Sequence, residues 1–291
     1  MAKNNPDSPE SISKNITLTE ENWEYILNEI DKMGVFVTLD LSACTKSTAD
    51  TGGGLRADGI FDPLPGNING KSKIVSLVLP DEALSIVDAI YHYDSYLQFI
   101  WISVFKSFSN LKTISGEKIN SIDSSAFKNC KTITGVDFPA ANLIEEFAFS
   151  GCTALVNANL PQARRIQTLA FQNCKALSVI NFPEILSVNK AAFEGCTSLS
   201  SACFPMATSF GANIFGHTGN KPLTITLGKV APYIWGSLFS GISAAKSTTI
   251  KIPNEASGFD SSWKQKFNDN NHVSVSIVIE EKTADVSNLV S

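Results

Sequence analysis

Neither a basic cluster nor a long apolar run occurs in this 291-residue chain, whose formal net charge is −5. Proteins that bind nucleic acids or anionic membrane surfaces as their main partner present a basic patch, so the sequence argues against both functions. A transmembrane helix needs about 20 consecutive, mostly apolar residues, and the sequence has no such run. We therefore predict no nucleic-acid partner and no transmembrane segment.

Catalytic and metal-binding motifs are also missing. The three histidines, His92, His217 and His272, are far apart in sequence, and His217 is expected to be a solvated residue in a turn. No C-x2-C, H-E-x-x-H or G-x-S-x-G motif occurs. The triple glycine at 52–54 lacks the Lys-Ser/Thr pair that completes a phosphate-binding loop. Glu145-Glu146 is expected to be a solvated edge. We predict no enzyme activity, no metal site and no cofactor.

The N-terminal residues 1–17 are polar, contain two prolines and lack the apolar core of a secretory signal. We expect them to form a flexible leader, as in an intracellular protein or in an exported protein whose signal has been removed. A helix is predicted over residues 18–34. Thr19 is a good N-cap, Glu20 and Glu21 favour the first turn, and Gly34 can end the helix. We expect this helix to cap the open end of the fold.

The dominant feature of the sequence is a pattern that recurs every 22 residues. A fixed period in this range is typical of a solenoid, in which each repeat stacks only on its neighbours. The recurring residues are Phe127, Phe149, Phe171, Phe193 and Phe215; Cys130, Cys152, Cys174 and Cys196; and Pro139, Pro161, Pro183 and Pro205.

One repeat can be written A-F-x-x-C-x-x-L-x-x-h-x-h-P, where h is apolar. The alternating h-x-h residues predict a short strand with two side chains pointing inward, and proline predicts its end. The segment from Ala to Cys has room for about one helical turn. We interpret the four cysteines as buried free thiols that act as small apolar residues, rather than as metal ligands or disulfides.

The repeat pattern also defines the domain boundaries. A solenoid is predicted over residues 35–253, regular from about 104 to 215 and interrupted by an inserted loop at 45–72. Residues 254–291 are predicted to form a C-terminal cap and tail. A helical segment is expected at 81–96, where Tyr91, Tyr93 and Tyr96 could line a sugar or peptide site or simply pack and solvate the convex side.

The repeat resembles the BspA-like bacterial class of leucine-rich repeats over about residues 74–253. The matching elements include Ala148-Phe149-Ser150-Gly151-Cys152-Thr153-Ala154-Leu155 and Asn181-Phe182-Pro183. The sequence departs from the common L-x-x-L-x-L-x-x-N form, so the asparagine ladder of that form is not expected. Ala158, Ala202 and Cys203 also depart from the larger or more polar residues of the class.

The resemblance implies a right-handed solenoid with a parallel concave sheet. Together with the short helical turns on the convex side and the N-terminal capping helix inferred from the residues, this predicts an α/β fold. Members of the class are mostly bacterial surface or secreted proteins that bind proteins, often host or matrix components. The class has no catalytic motif, and its ligand residues vary. A non-enzymatic, adhesin-like protein at the cell surface or secreted is therefore expected.

Strand residues that alternate with the inward ones should face the concave surface, and they form the candidate binding surface. The alternatives are a structural spacer or display module, in which these residues only confer solubility, and a carbohydrate-binding protein. Cys203 is expected to point outward, as an exposed thiol or packed against an edge side chain. The candidate residues are Thr113, Ser115, Asp137, Asn157, Asn159, Asn181, Ser201, Cys203, Thr224 and Thr226, interleaved with Gly135 and Val179.

Overall fold

A computed structural model describes residues 5–48, 54–56, 60–63, 69–86, 104–241, 246–266 and 273–280. Within these ranges the chain is a solenoid of stacked coils, built from two helices, two 3-10 turns and three almost entirely parallel sheets. The helices are α1 (Glu20–Met33) and α2 (Ser261–Gln265), and the 3-10 turns are Lys71–Lys73 and Val104–Ser107.

Each coil contributes one strand to a long face and one short strand to a second sheet. The first sheet consists, in spatial order, of β1 (Glu10–Ser13), β2 (Val37–Asp40), β5 (Ile74–Val78), β7 (Thr113–Ser115), β9 (Gly135–Asp137) and β11 (Asn157–Asn159). The third sheet continues the same face with β13 (Val179–Asn181), β15 (Ser201–Phe204), β17 (Leu223–Leu227), β19 (Lys246–Pro253) and β20 (Val273–Glu280).

The second sheet was not predicted, because its strands have only two or three residues. It occupies the return path of each coil, where Ile144 and Ile166 are buried register partners. Its strands are β3 (Gly54–Leu55), β4 (Ile60–Asp62), β6 (Ser85–Ile86), β8 (Ser121–Ile122), β10 (Leu143–Ile144), β12 (Arg165–Ile166), β14 (Ser187–Val188), β16 (Ser209–Phe210) and β18 (Tyr233–Ile234). The inserted loop therefore provides a hairpin, β3–β4, that begins this sheet.

A helix forms at Glu20–Met33, within the predicted range, whereas residues 10–13 of the expected flexible leader form a strand. The Thr19 hydroxyl accepts a hydrogen bond from the Asn22 backbone N–H, and Gly34 ends the helix with φ = 68°. Upstream of it, β1 pairs in parallel with β2 over four residues. Ile12 packs against the core, which gives this strand a buried anchor that its polar sequence hides. The terminal strand of the first sheet is thus β1.

The helical turns expected between the Ala and Cys positions are replaced by tandem hydrogen-bonded turns. In one coil, Leu169, Phe171 and Asn173 donate their N–H groups to the next coil, at 3.1, 2.8 and 2.7 Å. The intervening N–H groups bond three residues back within the coil, as Gln172 does to Leu169. Because alternate N–H groups point along the solenoid axis, the segment cannot form an α-helical turn. Its hydrogen bonds to the next coil instead form a third ladder, in addition to those of the two strands of each coil.

A continuous stack of phenylalanine rings fills the core. Adjacent rings in the stack have centroids 4.7–6.3 Å apart and planes within about 30° of parallel. Offset stacking at such distances stabilises aromatic pairs beyond their burial. The stack is formed by Phe105, Phe127, Phe149, Phe171, Phe193, Phe215 and Phe239.

The cysteine column is buried, and all six cysteines of the chain are free thiols. The column also makes contacts that the sequence did not reveal. The Sγ atoms of Cys152, Cys174 and Cys196 donate to the carbonyl oxygens of Phe127, Phe149 and Phe171, at 3.0, 3.2 and 3.2 Å. Burial raises the pKa of the Cys196 thiol to about 12, and raises that of the other two donors well above its ordinary value. These thiols are therefore protonated at neutral pH and chemically inert.

Two elements form in the C-terminal segment predicted as a cap and tail. They are α2, capped by Asp260, and β20. Trp263 Nε1 donates to the Pro232 carbonyl at 2.9 Å, and Lys266 Nζ to the Ile234 carbonyl at 3.0 Å. These bonds cover the edge of β18. The helical prediction at 81–96 is wrong at 85–86, which form β6, and its residues 87–96 lie outside the described ranges.

Candidate functional site

The structure brings the ten predicted residues into two columns on the long face of the solenoid. We call the side chains that point away from the core on the first and third sheets the outer face. Thr113 and Gly135 are register partners, as are Gly135 and Asn157, and the second column runs Ser115–Asp137–Asn159. In the third sheet, Val179–Ser201–Thr224 and Asn181–Cys203–Thr226 continue these columns.

The predicted residues at the centre of the outer face are accessible. Asp137, Asn157, Asn159, Val179 and Asn181 are all exposed, whereas most of the other predicted side chains are half-buried. Val179 is 56% exposed. Val179 is thus an apolar side chain on a mostly polar face, and the centre of a protein interface is more apolar than its rim.

The β-sheet beneath this centre is interrupted between two neighbouring strands. In the continuous stretch 104–241, every pair of successive long-face strands forms a ladder except β11 and β13, where the first sheet ends and the third begins. Ala158, the inward residue of β11, is only half-buried, whereas its counterparts Val136 and Ile180 are buried. Ala158 nevertheless keeps its register with Val136, so the ladder is interrupted only on the side that faces β13.

Side-chain hydrogen bonds between coils fix part of the outer face. Asn159 Nδ2 donates to Asp137 Oδ1 at 2.7 Å, and Thr113 Oγ1 donates to Ser76 Oγ at 2.7 Å. Such bonds reduce the rotamer freedom that would be lost on binding. Ser76 belongs to the same column but was not predicted, because it precedes the regular repeats. Cys203 lies in the outward register and is half-buried.

The second sheet contains an acidic pair. Asp123 and Glu145 follow β8 and β10 on adjacent coils, and both are half-buried. Burial raises the pKa of Asp123, and burial together with the charges of Asp123 and Glu146 raises the pKa of Glu145. The solvated edge expected at Glu145-Glu146 is thus correct for exposed Glu146 and wrong for Glu145. In the described ranges no group of three or more His, Cys, Asp or Glu side chains could hold a metal ion.

Asp123→Asn is expected to stabilise the protein at pH 7 by up to about 1 kcal/mol. A carboxyl group whose folded pKa is raised destabilises the fold when it is ionised, and this cost disappears as pH falls through the folded pKa. The amide can still accept the hydrogen bond from Ser121 Oγ. Urea unfolding of both proteins at pH 7 and at about pH 3, below the pKa of an unfolded aspartate, should therefore show a larger difference at pH 7. An equal difference at both pH values would contradict the electrostatic explanation.

The carbohydrate alternative depended on Tyr91, Tyr93 and Tyr96, which lie outside the described residues, as do His92 and His272. His217 is in a turn with an exposed side chain, as predicted, 3.6 Å from a Glu194 oxygen. None of the helices in the described part of the chain has both the length and the apolarity needed to cross a bilayer.

Two solved structures are similar to this chain. A leucine-rich repeat protein of T. pallidum is 16% identical, with 67% of this chain and 82% of that chain covered and a TM-score of 0.36. A leucine-rich repeat protein from Bacteroides ovatus is 18% identical, with 92% and 66% covered and a TM-score of 0.38. The comparison with curated proteins found no match.

The family comparison covers most of the chain. The description of the matching family is "BspA type leucine rich repeat region (6 copies)", and overlapping matches lie at residues 71–143, 91–199, 120–246 and 164–283. These ranges contain the phenylalanine stack from Phe105 to Phe239 and the outer-face strands from β7 to β20. The chain therefore belongs to the BspA-type leucine-rich repeat family.

Proposed function

We propose that this protein binds another protein through the outer face and acts, without catalysis, as an adhesin-like protein at the cell surface or after secretion. Leucine-rich repeat proteins of this type typically take part in protein interactions and are often surface-associated. The observation that supports the proposal most is the exposed Val179 among exposed asparagines at the centre of the outer face.

The chemistry of this centre suits a protein ligand. The asparagine amides of Asn157, Asn159 and Asn181 provide both donors and acceptors, which match backbone amide groups of a partner. Val179 can enter an apolar pocket without the desolvation cost of a charged residue. The side chains are short, so they lose little conformational entropy when a host or matrix protein covers them.

A triple variant with Asp137→Arg, Asn159→Arg and Asn181→Arg tests the proposal. Wild type and variant are immobilised and exposed to an extract of matrix and cell-surface proteins. We expect wild type to retain a partner that the variant binds at least about 30-fold more weakly, because disruption of a single hot spot costs ~2 kcal/mol or more. Circular dichroism and thermal unfolding establish that the variant is folded.

A control variant with Glu146→Arg, Thr197→Arg and Asn220→Arg places the same charge on exposed residues outside the outer face. Each triple variant raises the net charge by four, two from the acidic residue and one from each of the others. The control should bind like wild type. Equal capture by wild type and the outer-face variant would place the site elsewhere. Capture by neither would favour a spacer or display module.

A further inference from the structure

A groove on the second sheet contains two of the three arginines of this chain. Arg164 and Arg165 are adjacent and exposed, at the start of β12. The third arginine is Arg56, and all other basic residues among the 23 of the chain are lysines. The groove has a volume of about 670 Å³, within the usual range for ligand sites. Its other polar lining residues are Asn142 and Gln162, and its apolar lining includes Leu143 and Leu186.

The polar side chains of the groove have no partners among the described residues. No carboxylate there lies within 4 Å of either guanidinium, and neither arginine side chain makes a hydrogen bond. The side-chain amides of Asn142 and Gln162 make no hydrogen bond either, although the Asn142 backbone carbonyl accepts from the backbone N–H groups of both arginines. Ten guanidinium N–H donors, five from each arginine, therefore face solvent beside two amides.

We propose that this groove binds a short acidic peptide segment, with a carboxylate of the peptide held by Arg164 and Arg165. The planar guanidinium matches a carboxylate in a bidentate arrangement. Asn142 and Gln162 can each donate to and accept from the backbone of the peptide. Leu143, the register partner of Arg165, and Leu186 provide apolar contacts for the neighbouring side chains of the peptide.

The surroundings favour a short acidic peptide over a long polyanion. Glu145 and Glu184 are each two residues from a lining residue of the groove, Leu143 and Leu186, and Asp123 lies on the coil before Glu145. A sulfated polysaccharide that extended past the two arginines would meet these negative groups and a chain of net charge −5. A peptide with one or two carboxylates would remain beside the two arginines.

The test uses a fluorescein-labelled, C-amidated peptide of alternating leucine and glutamate that contains two glutamates, and the same peptide with glutamine in place of glutamate. Fluorescence anisotropy measures their binding to wild type and to a variant with Arg164→Gln and Arg165→Gln. We expect the glutamate peptide to bind wild type, and the variant to bind it at least about tenfold more weakly, which is 1.4 kcal/mol. The glutamine peptide should bind wild type as weakly as the variant binds the glutamate peptide.

A control variant with Lys131→Gln and Lys175→Gln removes the same charge from exposed residues of the turn segments and should bind like wild type. An equal loss in this control would overturn the proposal, because binding would then follow net charge alone. Binding of both peptides with the same affinity, or of neither, would also overturn it. So would binding of a heparin fragment in place of the glutamate peptide, which would assign the groove to polysaccharides. The outer face is unaltered in all of these variants, so the result does not depend on the proposed function.

Discussion

Phe171→Ala is expected to lower the free energy of unfolding by about 3–5 kcal/mol. Phe171 is fully buried, and its ring centroid lies 5.0 Å from that of Phe149 and 5.4 Å from that of Phe193. Alanine would remove the ring contacts on both sides and leave a cavity between coils. Because each coil stacks only on its neighbours, the cavity divides the core into two shorter stacks, and cooperativity should fall as well.

Urea unfolding followed by circular dichroism measures the effect. Trp235→Ala is a suitable control, because it also removes a large aromatic ring but Trp235 is 73% exposed. The control should change stability by less than about 1 kcal/mol. If Phe171→Ala cost no more than Trp235→Ala, the phenylalanine stack would not be the main stabilising element of the core.

Gly195→Ala is expected to destabilise the protein by about 1–3 kcal/mol. The backbone of Gly195 has a left-handed conformation, and a Cβ atom there would overlap the side-chain oxygen of Asn173. The same position in successive coils alternates between a side chain and glycine, all with φ of 50–78°. Each glycine leaves room for the side chain of the coil before it. The column is Asn129, Gly151, Asn173, Gly195, His217 and Gly241.

A double-mutant cycle separates the clash from the backbone strain. Ala191 is left-handed with φ = 55°, so alanine is compatible with this conformation where space allows. Gly195→Ala should therefore cost less in a background with Asn173→Gly, where the overlapping side chain is missing. A coupling of at least about 0.5 kcal/mol between the two sites is expected from urea unfolding. Additive effects would mean that strain alone explains the glycine.

The sequence predicted the coils well because their inward residues repeat. The 22-residue spacing placed the phenylalanine, cysteine and strand positions, and all of them are buried or in register as expected. The alternation of inward and outward residues along each strand likewise predicted that the ten candidate residues point outward, and the strand register arranges them in two columns. Val179 was recognised as outward, but its exposure depends on packing between β11 and β13, which the spacing does not describe.

The errors have a common physical origin in backbone groups that bond between coils. The turn ladder depends on left-handed residues such as Phe147 and Leu169, whose side chains give no sign of that conformation. The two-residue strands of the second sheet are too short for periodicity to detect. Arg164 and Arg165 occur in only one repeat, so the repeat pattern gave no reason to single them out. The turn ladder and the second sheet therefore follow from the stacking of coils rather than from local sequence.

Photo-crosslinking from the centre of the outer face tests most directly whether the protein binds its partner through this face. A benzophenone amino acid replaces Val179 in one protein and the exposed turn residue Lys175 in another, and each is irradiated with the partner captured by wild type. If the partner binds the outer face, a crosslink to it is expected from position 179 and none from position 175. A crosslink from position 175 alone, or equal yields from both positions, would contradict binding through the outer face.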